Sequence, residues 1–271
     1  MHLRNAFTES TVLRLVAGKG WRTANIFAEN IGMFASGRSI QIIGYDNGNP
    51  YGLKPEQAWN FGLNLTQKVD VGRRDATLSM DYYYTRFTDQ IVADYESDDF
   101  GSVILSNQSE MTDGHSVQVQ LDVEVLPKFD VRTAYRYNYS EVEFGGEVKS
   151  LILTPYHRAF LNLAYETENK WFFDATINWR GKQRLPDTEW MPVENRLPEF
   201  SEAFWTVNAQ VRKIFDERFE LYVGVENLLD YSQDNPIINS DDPFSRNFDA
   251  SIIWAPIFGR NIYSGLRYRI K

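Results

Sequence analysis

The sequence predicts an all-β chain: one antiparallel sheet of about ten strands, of the kind that forms a membrane-spanning β-barrel. Three observations lead there. Apolar and polar residues alternate with period two in segment after segment. The connections between these segments alternate long and short. Aromatic residues make up 15% of the 271, although the mean hydropathy is only −0.43.

Weak alternation first appears from Leu13 to Ala17 and from Phe61 to Leu65. A clear strand follows, in which Ala76, Leu78, Met80, Tyr82 and Tyr84 alternate with Thr77, Ser79, Asp81, Tyr83 and Thr85. From Gly114 to Val125 one face is Val117, Val119, Leu121, Val123 and Val125, and the other is Ser116, Gln118, Gln120, Asp122 and Glu124. Phe129, Val131, Thr133, Tyr135 and Tyr137 continue the pattern against Asp130, Arg132, Arg136 and Asn138, and a shorter strand spans Ala159 to Tyr165. Trp171, Phe173, Ala175, Ile177 and Trp179 face away from Asp174, Thr176, Asn178 and Arg180. Trp205 to Val211, Phe219 to Val225 and Ile262 to Ile270 complete the set.

In order, the gaps are roughly 40, 9, 25, 3, 17, 4, 22, 5 and 33 residues, a parity expected where turns are short at one membrane surface and loops long at the other. The short set is 67–75, 126–128, 167–170 and 214–218. In hydrocarbon every backbone donor and acceptor must be paired within the protein, which a closed antiparallel sheet achieves. Its outer face is then apolar, with rings such as Trp171, Trp179, Trp205, Tyr135, Tyr137, Tyr139 and Tyr268 in interfacial girdles. Charges at strand centres (Asp81, Asp122, Arg132, Asp174) belong on a wet inner face.

Composition narrows the function. The chain has no apolar run near the ~18–20 residues of a spanning helix. With no cysteine, and with His2, His115 and His157 its only histidines, it offers no thiol chemistry and little for metal binding, so neither a metal site nor a cofactor is expected. A net charge of −9 argues against nucleic acid as a partner. MHLRNAF does not read as a secretory signal.

Several segments carry a resemblance. GKGWRTANIFAEN (Gly18 to Asn30), LKPEQAWNFGLNL (Leu53 to Leu65), VENLLDYSQDNPI (Val225 to Ile237) and FDASIIWAPIFGRNIYSGL (Phe248 to Leu266) resemble the C-terminal half of TonB-dependent outer-membrane receptors, notably those of Bacteroidetes-type bacteria. The end of the chain, with Gly265, Tyr268 and Ile270, is similar to the insertion signal read by the barrel assembly machinery, although Lys271 replaces the usual final aromatic. The resemblance implies a barrel of about 22 strands around a plug, of which these ten are the last. Met1 to Ala6 would then be the tail of the preceding strand, with Thr8 to Ser10 as its turn. Residues 1–271 are thus expected to be the C-terminal portion of a receptor barrel, without plug domain or signal peptide, and an open sheet if alone.

The function implied is active uptake across the bacterial outer membrane of a scarce ligand such as an iron-siderophore, haem, cobalamin or a glycan, driven by TonB. Implied partners are outer-membrane lipid and lipopolysaccharide, the TonB complex through the plug, the assembly machinery through the last strand, and the small-molecule or glycan ligand. Candidate ligand-binding residues in the outer loops are Arg22, Glu29 and Asn30, which also suit loop bracing, and His115 and His157 near the rim. No Ser or Asp spacing makes a catalytic triad of the histidines, so no catalytic residue is assigned. Asp89, Asp94, Glu96, Asp98, Asp99, Glu110 and Asp113 crowd a loop without Lys or Arg; it reads as a solvated outer loop, or alternatively as a cation-binding or anion-repelling one. The competing classes are a complete ten-stranded outer-membrane protease or lipase and a soluble all-β binding module.

Overall fold

The computed structural model describes every residue except 46–47, 73, 98–100, 109–110, 145 and 271. In chain order the strands are β1 (His2–Ala6), β2 (Thr11–Arg22), β3 (Ile40–Ile43), β4 (Glu56–Val71), β5 (Arg74–Thr88), β6 (Ile91–Asp94), β7 (Val103–Asn107) and β8 (Thr112–Leu126). They continue as β9 (Phe129–Phe144), β10 (Glu147–Ser150), β11 (His157–Glu166), β12 (Trp171–Arg180), β13 (Phe204–Ile214), β14 (Phe219–Glu226) and β15 (Asn261–Tyr268). One antiparallel sheet runs β1-β2-β4-β5-β8-β9-β11-β12-β13-β14-β15, with β10 paired only to β9. This open, antiparallel wall has the predicted fold class, and β1, where strand was expected from Met1 to Ala6, pairs with β2.

Two strands are longer than their pattern. Alternation is visible in β4 only from Phe61 to Leu65, yet β4 pairs with β2 from Thr11↔Gln67 to Arg22↔Glu56. It pairs with β5 down to Val71↔Arg74, well inside the predicted nine-residue gap. Apolar periodicity marks only the band that meets lipid, whereas the hydrogen-bond ladder runs past that band at both ends.

Register sorts the wall into rows. Leu13, Leu65, Met80, Val119, Tyr135, Ala159, Trp179 and Trp205 are successive cross-strand partners from β2 to β13, and none of them is buried. One residue along each strand, the opposite face carries Arg14, Asn64, Asp81, Gln118, Arg136, Arg158, Arg180 and Phe204. The charges at strand centres are paired on this polar face: Asp81 accepts from Asn64 at 2.8 Å, Asp122 from Arg132, and Asp174 from Asn162 at 3.3 Å. Aromatic neighbours on the apolar face form two bands. One includes Trp59, Phe61 and Tyr84 toward the long loops; the other includes Tyr165, Trp171 and Phe173 toward the short turns.

Two glycines near the end of the sheet are required by packing. A Cβ on Gly265 would lie 2.2 Å from the Tyr222 Oη, and one on Gly224 would lie 2.2 Å from Cζ of Tyr263. Each tyrosine on the polar face lies across a glycine of the neighbouring strand, filling a slot that a side chain would close.

The dry core lies in the long connections rather than in the wall. Ile26, Met33, Leu53, Val103 and Leu105 cluster there, and the small sheet β3-β7-β6 frames them, with β3 parallel to β7. A second cluster joins Leu185, Met191, Ile238 and Ile252. Between them Arg38, from the first long connection, lies 3.0 Å from Asp249 of the last; both side chains are 0% exposed. The guanidinium sits over the rings of Tyr95 (5.5 Å) and Trp190 (5.1 Å), from two further connections. Its Nη1 donates to the Tyr95 carbonyl at 3.2 Å, and Ser251 donates to Asp249 through its N–H (2.7 Å) and hydroxyl (2.6 Å). Backbone bonds Gly37 N–H to Phe248 O and Ala250 N–H to Ala35 O, each 2.8 Å, fix the same junction. Burial lowers the pKa of Arg38, the Asp249 carboxylate opposes that, and burial raises the Tyr95 phenol.

Gly265→Val should cost about 1–3 kcal/mol by overpacking and deplete the fast-migrating folded form in unheated gel samples, whereas Gly20→Ala, with nothing within 4 Å, should leave that form intact. Arg38→Met strands a buried carboxylate, a loss of about 3–5 kcal/mol, and should raise hydrogen exchange in 23–55 and 227–260; Arg38→Met with Asp249→Asn should recover much of it.

Candidate functional site

Tyr95 serves the Arg38 junction, and its neighbour Glu96 serves a second one. The buried Glu96 carboxylate accepts a charge-assisted bond from Arg184, takes the Asp187 N–H at 3.1 Å, and lies 3.8 Å from Lys149 Nζ. Arg184 also donates from Nε to the Ser150 carbonyl at 2.7 Å. Glu96, Lys149 and Arg184 come from three different long connections, so the cluster exists only when those connections fold together. They floor a cleft of about 590 Å³ whose sides include Tyr156, Pro186, Leu197 and Pro198. Charged groups beneath partly apolar walls suit a small polar ligand. A larger hollow of about 730 Å³ lies on the polar face toward the short turns, where Glu220 is held by Arg267 (2.6 Å) and Arg212 (3.6 Å).

Of the residues singled out from sequence, Arg22, Glu29 and Asn30 come together. Arg22 pairs with Glu29 at 3.1 Å and with Glu56 at 3.0 Å, and the second oxygen of Glu56 accepts the Ile91 N–H at 3.1 Å. Asn30 donates to the Ile26 carbonyl at 2.9 Å, ending the short helix α1 (Ile26–Glu29). These contacts tie the end of β2 to the start of β4 and to β6.

His115 and His157 lie apart from that group and on the apolar face. His115 Nδ1 is 3.0 Å from the Tyr82 hydroxyl, with the Tyr84 ring 5.2 Å away. His157 repeats the arrangement with Tyr135 (2.6 Å) and Tyr137 (5.2 Å). Each imidazole is held among the outward-facing rings, and neither borders the cleft.

The acidic loop finds its counter-charges elsewhere in the chain. Asp89 meets Lys54 at 3.3 Å, Asp113 meets Arg86 at 2.9 Å, and Glu96 meets Arg184 and Lys149. Asp94 accepts the N–H groups of Glu96 and Ser97. Asp98, Asp99 and Glu110 lie outside the described residues. Sequence reading placed Glu96 in this loop but gave no sign of Arg184, Lys149, Arg38 or Asp249, because each partner lies at least 53 residues from its mate.

Residues 3–228 match the family model described as TonB dependent receptor-like, beta-barrel. No curated protein matches the sequence significantly. Among solved structures, the chain is similar to the ferric-catecholate import receptor Fiu of E. coli K12 (14% identity, TM-score 0.64, 99% of this chain and 34% of that one). It is also similar to the copper transporter OprC (17%, 0.69, 98% and 38%). A third is the pyoverdine receptor FpvA of Pseudomonas aeruginosa PAO1 (12%, 0.65, 99% and 35%). The chain thus spans well under half the length of these proteins, and at such identities the likeness concerns the fold. They are receptors and transporters rather than enzymes. Carried by a match over most of its length, this chain belongs to the TonB-dependent receptor-like β-barrel family.

Proposed function

We propose that residues 1–271 form the C-terminal part of the barrel of a receptor in the bacterial outer membrane, which binds a scarce ligand through its long loops and imports it with TonB-supplied energy. The observation that carries this reading is the family match over residues 3–228. The wall supports it: an apolar, aromatic face for lipid, a polar face for the passage, and long connections gathered at one end. Open edges at β1 and β15 suit a wall continued by further strands.

The cleft floored by Glu96, Lys149 and Arg184 is the proposed ligand-facing surface. Arg22, Glu29 and Asn30 brace the first long connection, and through Glu56 the start of the connection that carries Glu96. His115 and His157 belong to the outer girdle, where their tyrosine partners meet headgroups of lipid and lipopolysaccharide. Pairing of β15 with the assembly machinery and contact of a plug with TonB complete the proposed partners. Metal complexes are the first ligand class to test, since the solved relatives are named for a ferric catecholate, copper and pyoverdine. Haem, cobalamin and glycans form the second panel.

Expressed within its full receptor, the protein should fractionate with the outer membrane, migrate faster unheated than heated, and take up a labelled ligand from these panels only in cells that retain TonB. Recovery of folded, monomeric protein from a detergent-free cleared extract would overturn the proposal.

A further inference from the structure

On the polar face, the row that begins at Arg14 divides into two unlike halves. Arg14 donates to Asn64 at 2.7 Å, and Asn64 donates to Asp81 at 2.8 Å, so that half satisfies itself. Beyond Gln118 the row reads Arg136, Arg158, Arg180, directly opposite one another on β9, β11 and β12. All three are exposed, and none has an acidic partner among the described residues. Every other described arginine in β2 to β15 of the wall has a carboxylate or amide partner: Arg14, Arg22, Arg74, Arg86, Arg132, Arg212 and Arg267.

Like charges facing each other across strands are unfavourable, and a chain with 37 acidic residues against 28 basic ones has carboxylates to spare. Around the run, Gln118, Asn138 and Asn178 are polar and neutral, Phe160 is apolar, and Lys182, two residues beyond Arg180, adds a further cation. At a strand spacing of about 4.8 Å, three guanidiniums span about 10 Å, the size of a small molecule bearing several anionic groups. Guanidinium presents a planar fork of donors that matches carboxylate and phosphate oxygens.

We propose that Arg136, Arg158 and Arg180 form an anion-binding subsite on the inner wall, taking a small ligand that carries two or more carboxylate or phosphate groups. This rests on the reading of the polar face as the receptor's passage. The probes are citrate and inorganic pyrophosphate, titrated calorimetrically at low salt into the detergent-purified full receptor, with neutral maltotriose as a control. Both anions should bind and maltotriose should not. Arg158→Gln should weaken anion binding about tenfold or more, and Arg158→Lys should weaken it less. Arg14→Gln removes the same charge from the same row, and should change anion binding less than twofold while the fast-migrating folded form persists in unheated gel samples. Failure of both anions to bind, or equal losses in Arg14→Gln and Arg158→Gln, would overturn the subsite. Those results with TonB-dependent uptake intact reject the subsite alone, whereas a receptor without any such uptake rejects the broader reading.

Discussion

Inside hydrocarbon a peptide N–H or C=O without a partner costs several kcal/mol, so a strand can cross only beside another strand. That requirement organises this molecule. It makes each wall strand antiparallel to its neighbour, so that successive connections fall at alternate ends of the wall. It also fixes register: the row from Leu13 to Trp205 and the row from Arg14 to Phe204 differ by one residue per strand, and a slip of one residue would exchange them. The glycine slots follow from the same ladder. With the backbone spacing fixed, Tyr222 and Tyr263 can cross to the neighbouring strand only where Gly265 and Gly224 leave room.

The wall inverts the arrangement of a soluble domain. Its large apolar residues stay exposed in the isolated chain because their counterpart is lipid, and close packing is left to the loops. A loop layer built only of dry clusters would tolerate sliding, since apolar contacts carry little direction. Two electrostatic junctions constrain it, one at Arg38 and Asp249 and the other at Glu96 with Arg184 and Lys149. Because Tyr95 and Glu96 are adjacent in sequence, displacement of one connection strains both junctions. Ion pairs buried in this way contribute modestly to net stability, but they strongly penalise arrangements in which one partner is missing.

What could be read from the sequence follows the range of each interaction. Alternation arises from a local contrast between lipid and water, so strands such as Gly114 to Val125 and Trp171 to Trp179 were legible directly, and loop parity came from counting between them. Strand ends were not, because ladder bonds beyond the lipid band leave no hydropathic trace; β4 and β5 show this most clearly. The sheet β3-β7-β6 was equally hidden, as β3 comes from a different connection than β6 and β7 and the strands are only four or five residues long. For the candidate site, Arg22, Glu29 and Asn30 were legible as a group through local motif; in the structure Arg22 pairs with Glu29, Asn30 ends α1, and Glu56 links Arg22 to β6. His115 and His157 were read as candidate ligand contacts near the rim, and strand parity had to be applied to see that they share a face with Val117 and Leu161. The pairing of the acidic loop was hidden because its cations lie in other segments.

The same distinction bears on how charge acts in this receptor wall. A net charge of −9 describes the long-range field, which is screened within about 8 Å at physiological ionic strength. Close to the wall, the potential is set instead by the groups within a few ångströms. Most described charges of the acidic loop and the wall are already engaged by partners, and a paired carboxylate presents much less field than a free one. The run of Arg136, Arg158 and Arg180 differs because its charges remain unpaired and adjacent. Local potential at the inner wall can therefore be positive in a chain that is acidic overall, and the register of three neighbouring strands, rather than composition, determines where.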